Sequence, residues 1–387
     1  MSISVLSIFG TRPECIKMAP VIHALEKHAD FESRICVTGQ HREMLDQVLP
    51  VFGLRPDHDL NLMQPGQDLN KLLARALAGL GTVLRRERPG CVIVQGDTST
   101  CLAGALAAFQ EGIPIGHIEA GLRTSNLLAP FPEEANRRLV AQVATFHFVP
   151  TPRARDHLLA ENIPAEHIFV TGNTVIDALM MTQNLLGPNS RRVEGAKEAE
   201  GLLDKCNEFD KLVLVTSHRR ETGQERLAVI AAAIAELALK NPSCLFIYPV
   251  HPNTAVTATA RADLSQFSNV LLANPLDYMA FVALLIRADV ILTDSGGIQE
   301  ETLALGKPIL VMRGATERRE AVELGTARVV GMDRAAIVTG IDRLLKDEME
   351  YRRMAIAHDT YGNGTASAQI VAHLARELAI KATPSPN

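Results

Sequence analysis

Short runs of β-branched and aliphatic residues alternate along this chain with longer stretches whose apolar positions recur at the helical period. That is the pattern of a parallel α/β sheet covered on both faces. In the first half the runs predict strands at Ser4–Phe9, Arg34–Thr38, Cys91–Gln95, Ile115–Glu119, Phe146–Pro150 and Ile168–Thr171. The second half repeats the plan at Leu212–Ser217, Leu245–Val250, Val270–Ala273, Val290–Thr293, Ile309–Met312 and Arg328–Val330. Between the two sets, Asn184 to Asp210 is rich in Gly, Pro, Asn and charge and weakly periodic. The expectation is therefore two Rossmann-like domains facing a crevice, residues 1–176 and 177–365. The stretch Ala366 to Lys381 places Ile370, Val371, Leu374 and Leu378 on one helical face and should pack back on the first domain, leaving Thr383 to Asn387 loose.

Bulk properties narrow the class. A chain of 387 residues exceeds the ~250–300 at which one hydrophobic core stops growing, which favours two domains. At 47% hydrophobic and 21% charged residues it has the material for buried sheets and is not disordered. A net charge of −5 offers no basic surface, so no nucleic-acid partner is expected. Neither a leader-like start nor a run of ~18 apolar residues is present, so no membrane partner and a cytoplasmic location are expected. The six cysteines form no Cys-x-x-Cys pair and read as small hydrophobes rather than a disulfide or zinc framework.

In doubly wound sheets ligands sit beyond the carboxyl ends of the strands, so the polar residues there are the candidate site. Gly10-Thr11-Arg12-Pro13-Glu14 follows the first strand, with Lys17 in the helix after it. Its amides, Arg12 and Lys17 would make an anion pocket at a helix N-terminus. Asp294-Ser295-Gly296-Gly297-Ile298-Gln299-Glu300-Glu301 repeats the device in the second half. There Ser295, Gly296 and Gly297 would admit phosphate, and a carboxylate in the first helical turn would hold a ribose diol or complement the helix dipole. Neither turn is Gly-x-Gly-x-x-Gly, so no dinucleotide cofactor is expected.

Asp97, in Gly96-Asp97-Thr98, and Glu119, in His117-Ile118-Glu119, close two strands of the first half. Glu133 and Arg137, four apart, share a helix face and could form an ion pair. Three carboxylates near an anion pocket suggest proton transfer. Histidines at strand ends, His218 and His251, stand in the second half. His117 and Glu119 lack a third ligand at suitable spacing, so no metal is expected.

Taken in order, Gly10–Glu14, Gly96–Thr98, His117–Arg123, Pro132–Glu134, Thr171-Gly172-Asn173-Thr174, His218-Arg219 and Asp294–Glu301 resemble the non-hydrolysing bacterial UDP-N-acetylglucosamine 2-epimerases over essentially the whole chain. The resemblance implies the glycosyltransferase-B architecture, a cytoplasmic homodimer, no cofactor, and interconversion of UDP-N-acetylglucosamine with UDP-N-acetylmannosamine for surface polysaccharide. It marks Asp97, Glu119 and Glu133 as the catalytic carboxylates and His218 as the catalytic-site histidine. It also marks Arg12, Lys17, Arg137, Phe281, Ser295, Gly296, Gly297, Glu301 and Arg318 as nucleotide-sugar contacts.

The chain departs from the family's usual motifs at three places. Thr316-Glu317-Arg318-Arg319-Glu320 stands where Thr-Glu-Arg-Pro-Glu is usual, Gln95 replaces a common His, and Ser125 a common Gly. Gln40-His41-Arg42-Glu43 resembles a segment that binds an activating UDP-N-acetylglucosamine in some members, which makes Gln40 and Glu43 candidates for that second site, although Met63-Gln64-Pro65-Gly66-Gln67 lacks an arginine that some activated members use. Alternatives of related chemistry are a hydrolysing 2-epimerase, which would release N-acetylmannosamine and UDP, and a UDP-sugar glycosyltransferase of the same architecture.

Overall fold

The computed structural model describes residues 2–64, 66, 68–124, 126–186, 196–217, 224–250, 263–314, 316 and 318–382. The chain forms two compact units, residues 1–181 with 361–387, and residues 182–360. The first unit holds β1 (Ile3–Phe9), β2 (Phe31–Val37), β3 (His58–Asp59), β4 (Cys91–Gln95), β5 (Ile115–Ile118), β6 (Phe146–Val149) and β7 (Ile168–Val170). They make one sheet in the order β3-β2-β1-β4-β5-β6-β7, with every pairing parallel. In the second unit β8 (Lys211–Thr216), β9 (Cys244–Pro249), β10 (Val270–Ala273), β11 (Val290–Thr293), β12 (Ile309–Val311) and β13 (Ala327–Val329) follow the order β10-β9-β8-β11-β12-β13, again parallel throughout.

Helices connect the strands. In the first unit these are α1 (Arg12–Glu26), α2 (Arg42–Val48), α3 (Leu69–Glu87), α4 (Ser99–Gln110), α5 (Glu133–Val143) and α6 (Pro152–Ala160), and α7 (Thr174–Leu185) leads out of it. The second contains α8 (Ala196–Cys206), α9 (Gln224–Lys240), α10 (Tyr278–Arg287), α11 (Gly296–Leu305), α12 (Arg319–Glu323), α13 (Arg334–Lys346) and α14 (Glu348–Met354). Finally α15 (Ala366–Ala382) packs on α1 in the first unit. Among the described residues no helix is long and apolar enough to cross a membrane.

The predicted strands are all present, most to within a residue or two. Their central positions are buried on both faces: Leu6, Ile8, Val92, Val94 and Ile115 join Leu80, Leu84 and Ala105 in one core, and Val213, Val215, Phe246, Leu292 and Leu310 join Ile234, Leu237 and Ile341 in the other. Two differences have a plain cause. β2 begins at Phe31, three residues early, because Glu32 and Ser33 pair with β1 although they are polar. β3 is two residues at the sheet edge, too short for a periodicity to show.

In each sheet the strand order reverses once, between β1 and β4 and between β8 and β11. Ligands bind at such switch points, outside the carboxyl ends of the strands. The turns leaving these four strands are the ones that carry Gly10–Glu14, Gly96–Thr98, Ser217 and Asp294–Gly297.

The motif Thr171–Thr174 serves packing. Gly172 has φ +87° and a Cβ there would lie 2.9 Å from the Gly362 Cα. The Asn173 N–H donates to the Tyr361 carbonyl at 2.6 Å. Asp177 then caps α15, accepting from Ser367 N at 2.8 Å and Ser367 Oγ at 2.5 Å. The returning segment 361–382 is seated on the first unit by these contacts.

Candidate functional site

The turn between β1 and α1 is shaped by one buried carboxylate. Thr11 and Glu14 form a reciprocal capping box, but Glu14 does more than cap. Its Oε2 accepts from Gly10 N at 3.0 Å, Thr11 N at 2.8 Å and Thr11 Oγ1 at 2.8 Å. Its Oε1 accepts from Thr98 Oγ1, in the next turn of the site, at 2.5 Å. Burial pushes the Glu14 carboxyl up to about 7, against the pull of these four donors. The sequence reading treated the amides of this turn as open to an anion. The amides of Gly10 and Thr11 are instead committed to Glu14, and anion-facing charge in this turn comes from the partly exposed Arg12 and Lys17. Only glycine fits at position 10, where a Cβ would meet Thr38 Oγ1 at 2.0 Å and Thr100 Oγ1 at 2.5 Å.

Glu119, just past β5, is nearly buried and holds the left-handed φ of +62°, a conformation costly for a residue with a Cβ. Two donors converge on its Oε2: the Lys17 ammonium and the Gln95 side-chain amide at 2.5 Å. Asp97 lies one turn along the switch point. Arg137 Nη2 contacts its Oδ2 at 2.6 Å, and the Asn136 side chain donates to its carbonyl at 2.8 Å. The neighbouring Gly96 carbonyl accepts from the His117 Nε2–H at 2.8 Å. Burial pushes His117 down to about 4, so the ring is neutral and acts as a fixed donor, not a proton carrier.

Glu133 opens α5, and its Oε2 is buried without a hydrogen bond among the described residues. Arg137 does not take the i,i+4 partner that spacing offered. Its ion pairs run to Asp97 and, at 3.3 Å, to the fully buried Glu134. Glu134 also accepts from Thr124 N at 3.0 Å and Arg138 Nε at 3.0 Å. Within the first unit Lys17 and Gln95 thus meet on Glu119, and Arg137, on the helix that Glu133 opens, meets Asp97. Gln40 buttresses the same turns, its Oε1 accepting from Thr100 Oγ1 at 2.8 Å, while Glu43 is exposed on α2.

In the second unit, α11 begins at Gly296 with Ser295 as N-cap and no side-chain cap bond, so Ser295, Gly296 and Gly297 present a partly exposed helix N-terminus. A Cβ at Gly297 would meet nothing within 4 Å. The first turn carries no acid, which removes the dipole-complement reading. Glu300 and Glu301 fall in the second turn and are buried. Glu301 accepts from Tyr278 Oη at 3.2 Å, which ties α11 to α10, where half-buried Phe281 lies. Arg318 is buried against Glu300 in an ion pair of 2.8 Å. Ser217 donates to Asp294 Oδ2 at 3.1 Å. His218, with Arg219, His251, Ser125 and Glu317, lies outside the described residues.

Sequence reasoning passed over Glu14, Gln95 and Glu134 as working parts. The signal for Glu14 was the Thr-x-x-Glu spacing of a capping box; for Gln95 it was a polar residue closing an otherwise apolar strand.

A family model described as UDP-N-acetylglucosamine 2-epimerase matches residues 23–375. The UDP-N-acetylglucosamine 2-epimerase of Salmonella typhimurium is 51% identical over 368 residues, 95% of this chain and 97% of that one. The crystal structure of the Neisseria meningitidis UDP-GlcNAc 2-epimerase bound to UDP-GlcNAc is similar, with TM-score 0.89 and 46% identity over 96% of this chain and 100% of that one. A glycotransferase of kitacinnamycin, at 14% identity and TM-score 0.59 with 98% of each chain covered, shares the fold.

Proposed function

The chain belongs to the UDP-N-acetylglucosamine 2-epimerase family, and from that premise we propose that it interconverts UDP-N-acetylglucosamine and UDP-N-acetylmannosamine by eliminating and re-adding UDP. The hydrogen on carbon 2 sits beside an acetamido nitrogen rather than a carbonyl carbon, so it is barely acidic in the intact sugar. If the bond from carbon 1 to the diphosphate breaks first, the oxocarbenium character at carbon 1 acidifies that hydrogen. Its loss to a carboxylate gives a 2-acetamidoglucal and UDP. Protonation of carbon 2 from the opposite face, with return of the diphosphate oxygen to carbon 1, completes the inversion without net redox change.

Such a route needs cationic and dipolar groups for the departing diphosphate and proton-transfer groups on both sugar faces. Arg12, Lys17, Ser295, Gly296 and Gly297 suit the first role, with Arg137, Phe281, Glu301 and Arg318 as further substrate contacts. Asp97, Glu119 and Glu133 suit the second, with His218 to stabilise diphosphate charge or orient a carboxylate. The observation that carries the reading is that two carboxylates of one unit, Glu119 and Asp97, pair with the cations Lys17 and Arg137, with Glu133 opening the helix that carries Arg137.

The same reading makes the protein a cytoplasmic homodimer that supplies N-acetylmannosamine units for surface polysaccharide; the order of its motifs along the chain supports this. Gln40 and Glu43 are the residues for a second, activating nucleotide-sugar site, which a sigmoidal rate curve would reveal.

Incubating UDP-N-acetylglucosamine with the protein in deuterated water tests the route. Proton NMR should show UDP-N-acetylmannosamine carrying deuterium at carbon 2. Retention of the original hydrogen would sink the elimination, and free N-acetylmannosamine with UDP would make the enzyme a hydrolysing one. Turnover only when an acceptor is added would make it a glycosyltransferase.

A further inference from the structure

The turns after β1 and β4 flank the switch point of the first sheet, and one side chain bridges them. Glu14 grips the β1 turn through Gly10 N, Thr11 N and Thr11 Oγ1 and reaches Thr98 Oγ1 at 2.5 Å. Thr98 is the residue after Asp97, and its hydroxyl oxygen also accepts from Cys101 N at 3.0 Å as the N-cap of α4. The contact joins residues 84 apart in sequence and has no part in the chemistry assigned above.

The Asp97 turn is otherwise held through the Arg137 ion pair with the Asp97 carboxylate at 2.6 Å and through the carbonyls of Gly96 and Asp97. His117 and the Cys101 thiol hold the Gly96 carbonyl, at 2.8 and 3.3 Å, and Asn136 holds the Asp97 carbonyl at 2.8 Å. The Thr98–Glu14 bond ties this turn to the segment that carries Arg12 and Lys17. A buried carboxylate facing four donors is hard to displace without leaving those donors unsatisfied.

We propose that Glu14 is a positioning residue for the reaction: through Thr98 it fixes where Asp97 stands relative to Lys17 and Glu119. It acts on the geometry of proton transfer rather than on substrate. The inference rests on the epimerase reading of Asp97.

Thr98 is the point at which to test it. Thr98→Val removes both the bond to Glu14 and the helix cap; Thr98→Ser keeps both. In the otherwise unaltered chain, Thr98→Val should lower kcat by roughly tenfold or more while KM for UDP-N-acetylglucosamine moves less than about threefold. Thr98→Ser should recover most of that loss.

The decisive comparison repeats Thr98→Val in an Asp97→Asn background. If Glu14 works through Asp97, the second substitution there should cost little further kcat, because coupled groups are not additive. An equal loss of kcat in both backgrounds would overturn the inference, as would wild-type kcat in Thr98→Val and Glu14→Gln. Absence of epimerisation by the wild-type chain would instead overturn the functional reading beneath it.

Discussion

The side-chain amide of Gln95 donates to Glu119 across the neighbouring strands β4 and β5 at 2.5 Å, onto the same oxygen that Lys17 contacts. Glu119 holds a positive φ, so its backbone carries strain that outside contacts must sustain. Gln95 is therefore part of what fixes the carboxylate. Gln95→Leu, close in volume but with no donor, should lower kcat by roughly tenfold. Steady-state kinetics on the purified variant check this; unchanged kcat would mean that Gln95 is not needed to orient Glu119.

Gly297 separates binding from folding. Its added Cβ would meet open space within the protein, so Gly297→Val should leave Tm within about 2 °C of wild type. The same methyl groups would stand where phosphate approaches the helix amides, so KM for the nucleotide sugar should rise roughly tenfold or more. Thermal melts and saturation kinetics on the same preparation check both halves.

Arg318 gives the opposite pattern. It is buried in an ion pair with Glu300, and removing the guanidinium takes a close cation from a buried carboxylate. Arg318→Met should lower stability by roughly 3–5 kcal/mol, read by denaturant unfolding. A variant with unchanged stability and a raised KM would assign Arg318 to the substrate alone.

Protonation of Glu14 predicts a pH dependence of stability. Its carboxyl lies near 7 in the folded chain against 4.5 as an ordinary side chain, so the folded state binds this proton more tightly. The contribution is present in full below pH 4.5 and is lost as the pH rises through 7, a change of roughly 3 kcal/mol. The buried His117 and His147, pushed down to about 4 and about 3, act in the other direction: their contribution is present above 6.5 and lost as the pH falls through those values. Wild type minus Glu14→Gln isolates the first effect. That difference in stability should fall by roughly 3 kcal/mol between pH 4.5 and 8, and a flat difference would refute the shift.

The fold was legible because it depends on local pattern. Runs such as Cys91–Gln95 are apolar on both faces, which leaves little choice but a central parallel strand. The positions of Asp97 and Glu119 at strand ends followed from the same pattern. What could not be read was partnership across distance. Glu14 looks like a helix cap until Thr98 is brought to it, and Gln95 looks like the end of a strand until Glu119 is its neighbour. Arg137 has Glu133 one turn back on its own helix, yet its side chain reaches Asp97, 40 positions earlier. Spacing along a helix offers a contact, and the packing of neighbouring elements decides whether it is made.

The return of the chain to its first unit has a consequence for synthesis. Residues 182–360 are contiguous, so that unit can fold as soon as it leaves the ribosome. The earlier-made unit must wait: α1 lacks its packing partner, and Asp177 the helix start it caps, until the last segment of the chain emerges. The unit made first is completed last, and a premature stop near residue 360 would spoil the half of the protein that had already been translated.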